Sequence, residues 1–117
     1  MCKFVRNHSI MIPVVQQLAS EYKRNLQNLY GNELVELILY GSYARGEHRN
    51  ESDIDFAVVL RNPDMRAVAE IAKTSAIASR LSLKYGIMVS ALPVSFQKKE
   101  TSMQGVYQEI RKEGIVI

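Results

Sequence analysis

The first regular pattern of apolar and polar residues begins at Pro13, after a dozen residues that look irregular. From there apolar side chains recur every three or four positions, which is typical of one face of an amphipathic helix. That face consists of Val14, Leu18, Tyr22, Leu26 and Leu29. Pro13 suits a first helical position, and Gly31 followed by Asn32 suits a C-terminal stop. The pattern therefore predicts a long first helix between these residues.

Two apolar runs on either side of a polar loop predict the first two strands. Leu34–Tyr40 is almost wholly apolar and ends at Gly41, which is typical of a buried strand. Ser42–Arg45 then predicts a single helical turn, capped by the Ser42 hydroxyl and ended by a glycine. Asp53–Leu60 follows the loop and predicts a second strand.

The second half of the chain predicts a long helix and a third strand. Residues 62–64 (Asn-Pro-Asp) combine a capping residue, a first-position proline and a first-turn acid. A helix is therefore expected from there to about Lys84, ended by Gly86. Its inner face is predicted to consist of Met65, Val68, Ile71, Ala72, Ser75, Ala78 and Leu81. Ile87–Val94 predicts a third strand, in which Pro93 indicates a sheet edge or a strand end.

A final short helix is predicted over Thr101–Lys112, followed by an apolar tail, residues 114–117, that can pair with a sheet edge. The inward side chains of this helix are expected to be Met103, Val106, Tyr107 and Ile110. The order of the elements predicts the α/β class, with a small mixed β-sheet flanked by helices. A length of 117 residues suits one modest core, so residues 1–117 are expected to form a single domain.

Composition and charge narrow the function classes. The chain is 47% hydrophobic and 23% charged, which is ordinary for a globular protein. Its net charge of +3 permits a polyanionic partner such as a nucleotide or RNA without requiring one. A lone cysteine, Cys2, argues against an internal disulfide and a cysteine-based zinc cluster, and no apolar run is long enough to span a membrane. A cytoplasmic location is the resulting expectation.

The first residues with clear chemical meaning lie where the first strand meets the following turn. Gly41 has no Cβ, so backbone N–H groups at this bend can approach a ligand closely. The turn after it leaves N–H groups unpaired and presents the positive end of a dipole, and both favour phosphate. The Ser42 hydroxyl can donate to a phosphate oxygen or cap the turn. Gly41 and Ser42 are therefore candidate nucleotide-binding residues.

Asp53 and Asp55 are candidate catalytic and metal-binding residues. They are two positions apart on a predicted strand, so both carboxylates project to one face while Ile54 and Phe56 point into the core. Such a pair repels itself unless a cation joins it, and Mg²⁺ prefers carboxylate and phosphate oxygens. A phosphate pocket beside this pair indicates metal-assisted phosphoryl or nucleotidyl transfer. Either motif alone is more often a turn or a solvated strand end, but together they favour the functional interpretation.

Gly41-Ser42, ten further residues and then Asp53-x-Asp55 resemble the signature of the DNA polymerase β-like nucleotidyltransferase superfamily. The fuller string, Gly-Ser-Tyr-Ala-Arg-Gly followed by Ser-Asp-Ile-Asp, resembles its minimal nucleotidyltransferase branch. The resemblance implies the polymerase β-like fold and Mg²⁺-dependent transfer of a nucleoside monophosphate from an NTP, with ATP the favoured candidate. It also implies that Gly41 and Ser42 hold the triphosphate and that Asp53 and Asp55 ligate the metals.

The resemblance also bears on partners. Minimal members are often paired with a small helical HEPN-type protein, as antitoxin to toxin, and some inactivate that toxin by adenylylating it. A chain this short has no room for a second domain to hold an acceptor, so a partner protein or a second copy is expected to complete the cleft. RNA recognition has only the basic charge in its favour, because no RNA-binding motif is present.

The chain departs from the superfamily pattern in its third strand. Active members usually carry a third carboxylate there, as a base or second-metal ligand. Here the closest position is Ser90, and the strand has no Asp or Glu. A general base contributes roughly 10²–10⁴-fold in rate, so its loss weakens turnover without necessarily abolishing it. Glu36 is a candidate replacement, although a surface role is favoured. The alternative function is a catalytically weak or inactive subunit that acts by binding its partner.

Three side chains near the motif have open interpretations. Arg45 is a candidate nucleotide-binding residue that can reach phosphate, but it can equally pair with Glu47 at the surface. His48 is expected to be solvated, with a role as a base the minor alternative. Tyr43 is expected to pack within the protein rather than stack on a nucleotide base.

Overall fold

Five α-helices and four strands make up residues 12–117, the part of the chain that the computed structural model describes. The helices are α1 (Pro13–Tyr30), α2 (Ser42–Arg45), α3 (Ala67–Tyr85), α4 (Phe96–Thr101) and α5 (Gly105–Glu113). The strands are β1 (Leu34–Tyr40), β2 (Ile54–Leu60), β3 (Val89–Ser95) and β4 (Ile115–Val116). No helix in this part of the chain is both long and apolar enough to cross a membrane. The irregular N-terminal segment and Cys2 lie outside the described residues.

The four strands form one sheet in the order β3-β2-β1-β4. β1 runs antiparallel to both β2 and β4, whereas β2 and β3 are parallel. This arrangement confirms the predicted small mixed sheet flanked by helices. β3 lies at one edge, as Pro93 indicated, and the apolar tail pairs with β1 at the other through Ile115 and Val116.

Alternate strand residues point to opposite faces of the sheet, and each face has its own apolar core. α1 and α3 cover one face, here called the α1/α3 face. Its buried residues include Leu18, Tyr22, Leu26, Leu37, Leu39, Ile54, Phe56, Val58 and Leu81. α5 covers the other, the α5 face. Its buried residues are Ile38, Ala57, Val59, Val94, Tyr107 and Ile110.

α1 spans the predicted range, and most of its predicted inner face is buried. Leu18, Tyr22 and Leu26 are in the core, and Gly31 ends the helix with a φ of +56°. Leu29 is 42% exposed, so its predicted burial is wrong. Leu29 falls on the same stripe as the buried residues but in the last turn. Periodicity assigns a side of the helix and does not say how far along the helix the core extends.

α3 begins at Ala67, five residues after the predicted start at Asn62. The Asn62 side chain accepts the backbone N–H of Asp64 at 2.9 Å, so the predicted cap closes a turn instead of starting a helix. Part of the predicted inner face is also wrong. The exposed members are Val68, Ile71, Ala72 and Ser75. Because α3 has apolar residues on more than one side, periodicity alone cannot select the stripe that meets the sheet.

The predicted C-terminal helix is broken, because residues 102–104 separate α4 from α5. Arg111 of α5 donates to the backbone carbonyl groups of Lys99 and Ser102, at 2.6 Å and 2.8 Å. These bonds satisfy carbonyl oxygens that the end of α4 would leave unpaired. Met103 lies in the break and is 75% exposed, so its predicted inward position is wrong.

Candidate functional site

Gly41 forms a bend between β1 and α2 that other residues would form only with strain. Its φ of +79° and ψ of −157° lie in a backbone region that is nearly restricted to glycine. A Cβ at this position would stand 2.5 Å from Oδ2 of Asp55, which is too close for a side chain. The bend and the Asp55 carboxylate are therefore adjacent, so that one ligand can contact both.

Ser42 is the first residue of α2, and its side chain does not cap the turn as predicted, because Gly41 occupies the N-cap position. The backbone N–H of Arg45 donates to the Gly41 carbonyl oxygen at 3.1 Å and closes the single turn. Gly46 ends the turn with a φ of +73°. The Ser42 hydroxyl is thus not committed to a helix cap.

The two acids come together on the α5 face of the sheet. Ile54 and Phe56 are fully buried on the α1/α3 face, so Asp55 between them points to the opposite side. Asp53 stands one residue before β2 and is exposed. Its negative charge is among the groups that raise the pKa of Asp55, after the larger effect of burial.

The electrostatic environment of Asp55 favours a cation. The pKa of its carboxyl group lies above the ordinary value of 3.8, because of partial burial and then the charges of Asp53 and Glu109, with Arg45 acting in the opposite direction. A positive ion would relieve this cost. Two carboxylates beside this glycine bend suit Mg²⁺, which keeps waters and takes substrate oxygens. Within residues 12–117 no three His, Cys, Asp or Glu side chains form a metal cluster. A Mg²⁺ ion at Asp53 and Asp55 would therefore need water and substrate oxygens as its remaining ligands.

Arg45 extends from α2 into a group of three carboxylates. Its Nε donates to Glu47 at 2.9 Å, and its Nη1 donates to Glu109 at 2.8 Å and to Glu113 at 3.4 Å. The pairing with Glu47 that the sequence left open is therefore present, together with two partners from α5. Contact between Arg45 and phosphate stays a prediction, and it requires phosphate oxygens to compete with these carboxylates.

The neighbours of Asp55 across the sheet show what replaces the expected third acid. Ser90 of β3 is paired in register with Asp55, which is the position inferred from the sequence. Glu36 is paired with Val59, four residues along β2 from Asp55, which is about 13 Å at strand spacing. Glu36 also forms an ion pair with Lys99 at 2.8 Å. Glu36 is therefore not placed to act with Asp55.

The loop between α2 and β2 contains a stacked pair of rings. The Tyr43 and His48 rings have centroids 4.1 Å apart and an interplanar angle of 7°. Tyr43 therefore packs within the protein, as expected. The expectation that His48 is solvated holds only in part: the residue is partly exposed, but its Nδ1 is buried and has no hydrogen-bond partner in the described part of the chain.

Glu109 is a charged residue near the site that the motif did not single out. Burial, the charge of Asp55 and then that of Glu109 raise the pKa of Tyr40 to about 12, and Tyr40 stands opposite Asp55 on β1. Nothing in the local pattern marks position 109, which is far along the chain from the motif. The one sequence feature that could have indicated this position was the apolar tail, because its pairing with β1 brings the preceding helix α5 against this face of the sheet.

Residues 19–117 match the protein family described as nucleotidyltransferase domain. A Methanocaldococcus jannaschii protein, provisionally named a protein adenylyltransferase, is 33% identical over 101 residues. The matched region covers 86% of this chain and 96% of that relative.

Two solved structures share the fold. A Sulfolobus solfataricus protein, provisionally described as a nucleotidyltransferase, has a TM-score of 0.59 at 21% identity, covering 86% of this chain and 76% of that one. A chain from a toxin–antitoxin crystal structure with AMP-PNP has a TM-score of 0.55 at 23% identity, covering 82% of this chain and 69% of that one. At these identities the likeness establishes a common fold.

Proposed function

Because the chain belongs to the nucleotidyltransferase domain family, as its motif predicted, we propose that this nucleotidyltransferase uses Mg²⁺ and ATP to transfer AMP to a hydroxyl group of a partner protein. The observation that carries the proposal is the contact geometry of Gly41 and Asp55. A Cβ at Gly41 would overlap Oδ2 of Asp55, so the bend and the acid pair can share one ligand. In a nucleoside triphosphate bound with Mg²⁺, the phosphates suit the backbone N–H groups of the bend, and the positive ion suits the acid pair.

Each residue of the motif has a proposed role. Backbone N–H groups after Gly41, with the Ser42 hydroxyl, bind oxygens of the triphosphate. Asp53 and Asp55 hold Mg²⁺, which when bound neutralises charge on the phosphates. Arg45 approaches the outer phosphates when their oxygens displace Glu47 and Glu113, while its contact with Glu109 is kept. The motif thereby orients the α-phosphate toward an acceptor that lies outside this small domain.

The acceptor is proposed to be a small helical protein of the HEPN type, with this chain as its antitoxin. Two comparisons support a protein acceptor: one relative is named for protein adenylylation, and one structural neighbour comes from a toxin–antitoxin structure.

The test is intact-mass analysis of the protein encoded by the adjacent reading frame, co-expressed with this chain and incubated with Mg²⁺ and each NTP. We expect the partner to gain one AMP with ATP and to gain nothing with the Asp53→Ala variant. Asp64→Ala is the matched control, because Asp64 is an exposed acid on a turn away from the motif. No mass gain on any partner with the unaltered chain would contradict transferase activity.

A second function, neutralisation of the partner by binding alone, is favoured by one observation. Ser90 is paired with Asp55 where active relatives carry a third acid, and β3 contains no Asp or Glu. In that case the complex forms without nucleotide transfer. It should then survive both Asp53→Ala and Asp55→Ala in a pull-down or by light scattering.

A further inference from the structure

Ser90 is paired with Asp55, and β3 has no Asp or Glu, so a proton acceptor for the reaction must come from another element on the same face. Asp55 points to the α5 face, and α5 is the helix that covers it. Two acids of α5, Glu109 and Glu113, reach toward the motif through Arg45. Of these two, Glu109 makes the shorter contact with Nη1 of Arg45, 2.8 Å against 3.4 Å. After the larger effect of burial, its charge also contributes to the raised pKa values of Asp55 and Tyr40.

The position of Glu109 is held by the core on both sides of it. Tyr107 and Ile110 are buried against Ile38 and Val59 on the α5 face. The next residues after α5 return to the sheet, because β4 pairs with β1. The backbone of Glu109 is therefore anchored between buried neighbours, while its side chain is 34% exposed.

The side chain of Glu109 is also oriented by contact. Its Oε2 accepts from Nη1 of Arg45 at 2.8 Å, and Arg45 ends the single turn that begins beside Gly41. A Cβ placed on Gly41 would in turn lie 2.5 Å from Oδ2 of Asp55, so the bend and this acid are adjacent. A chain of contacts thus connects the Glu109 carboxylate to the acid pair without using β3.

We propose that Glu109 supplies the third carboxylate of this site, from the C-terminal helix in place of β3, and acts as the general base for the acceptor hydroxyl. This inference rests on the proposed transferase function. The acceptor oxygen forms a bond to the α-phosphorus of ATP. The bond from that phosphorus to the bridging oxygen breaks, and pyrophosphate leaves with the electron pair. The hydroxyl proton passes to the carboxylate of Glu109. Because no cluster of three metal ligands occurs within residues 12–117, Glu109 is assigned as a base rather than as a ligand.

The test compares Glu109→Gln with Glu113→Gln. Both acids pair with the same guanidinium nitrogen of Arg45, Glu109 at 2.8 Å and Glu113 at 3.4 Å, so the comparison holds the ion pairing with Arg45 in common. Glutamine keeps the size of the side chain and removes the base. We expect Glu109→Gln to lower the transfer rate to the co-expressed partner by about 10²–10⁴-fold, the range for loss of a general base. Glu113→Gln should stay within threefold, about the scatter of such kinetic comparisons.

A second readout separates a base from a structural residue. Calorimetry with Mg²⁺ and AMP-PNP in the absence of the partner measures nucleotide affinity without transfer, because no acceptor hydroxyl is present. We expect Glu109→Gln to bind AMP-PNP at least as tightly as the unaltered chain, because one negative charge near the triphosphate is gone. A rate that is unchanged by Glu109→Gln, or lowered equally by Glu113→Gln, overturns the assignment. Weaker AMP-PNP binding with an unchanged rate constant also overturns it. No transfer by the unaltered chain overturns both this inference and the proposed function, whereas transfer by Glu109→Gln at the rate of the unaltered chain overturns only the inference.

Discussion

The two faces of the sheet serve different purposes although the same strands build both. Two long helices, of 18 and 19 residues, close the α1/α3 face with fully buried apolar side chains. The α5 face is covered by a helix of nine residues and carries the acids at one end. The first face supplies most of the apolar burial that stabilises the domain. The second holds charges in a position that costs stability, since partial burial disfavours ionised Asp55.

β2 contributes both to the apolar core of the α1/α3 face and to the charged residues of the α5 face. Its residues alternate between the faces, so Ile54 and Phe56 anchor the strand in the larger core while Asp53 and Asp55 stand on the other side. The position of each acid is therefore set by its buried neighbours. The acids on the α5 face are therefore held in place by the packing of the α1/α3 face.

The largest expected effect comes from removing Phe56. Its ring packs edge-on against Tyr22 with centroids 5.2 Å apart. Phe56→Ala should lower the free energy of unfolding by about 3–5 kcal/mol. Val59→Ala, on the α5 face of the same strand, should cost about 2 kcal/mol, because fewer buried carbons are lost. Urea denaturation of both variants measures the difference, and equal losses would mean that the two faces contribute alike.

A smaller loss is expected from Gly41→Ala. The backbone strain and the displacement of Asp55 together should lower the free energy of unfolding by about 2–4 kcal/mol. Gly46→Ala is the control, because a Cβ at Gly46 meets nothing within 4 Å and only its positive φ is strained. That variant should lose about 1–2 kcal/mol. Equal losses in chemical denaturation would show that Asp55 does not crowd the bend.

The smallest expected effect, that of Asp55→Asn, is a gain in stability instead of a loss. An acid whose pKa is higher in the folded protein binds its proton more tightly there, so ionisation costs folding free energy. This cost appears as the pH rises past the ordinary aspartate value of 3.8 and is complete above the folded pKa. Asp55→Asn should therefore raise the melting temperature at neutral pH, with a gain that shrinks in acid. Asp64→Asn should show no such gain, and a lower melting temperature for Asp55→Asn at pH 7 would refute the stated electrostatics.

Much of the fold around the motif could be predicted because its causes are local. The alternation along Asp53–Leu60 and the glycine at position 41 depend on neighbouring residues alone. The predicted strand–bend–strand arrangement is confirmed, and Ser90 stands beside Asp55 as inferred. The later helices were less predictable. The start of α3, its inner face and the break before α5 depend on which segment each one meets.

By itself the sequence determined the chemical content of the motif, the order of its elements and the family. Tertiary structure alone decided that Arg45 meets Glu109 and Glu113, and that a helix from the C-terminus lies over the acids. The physical reason is the distance along the chain over which each effect acts. Dihedral preferences and side-chain periodicity act over a few residues, whereas the partner of a charged side chain depends on how distant segments pack together.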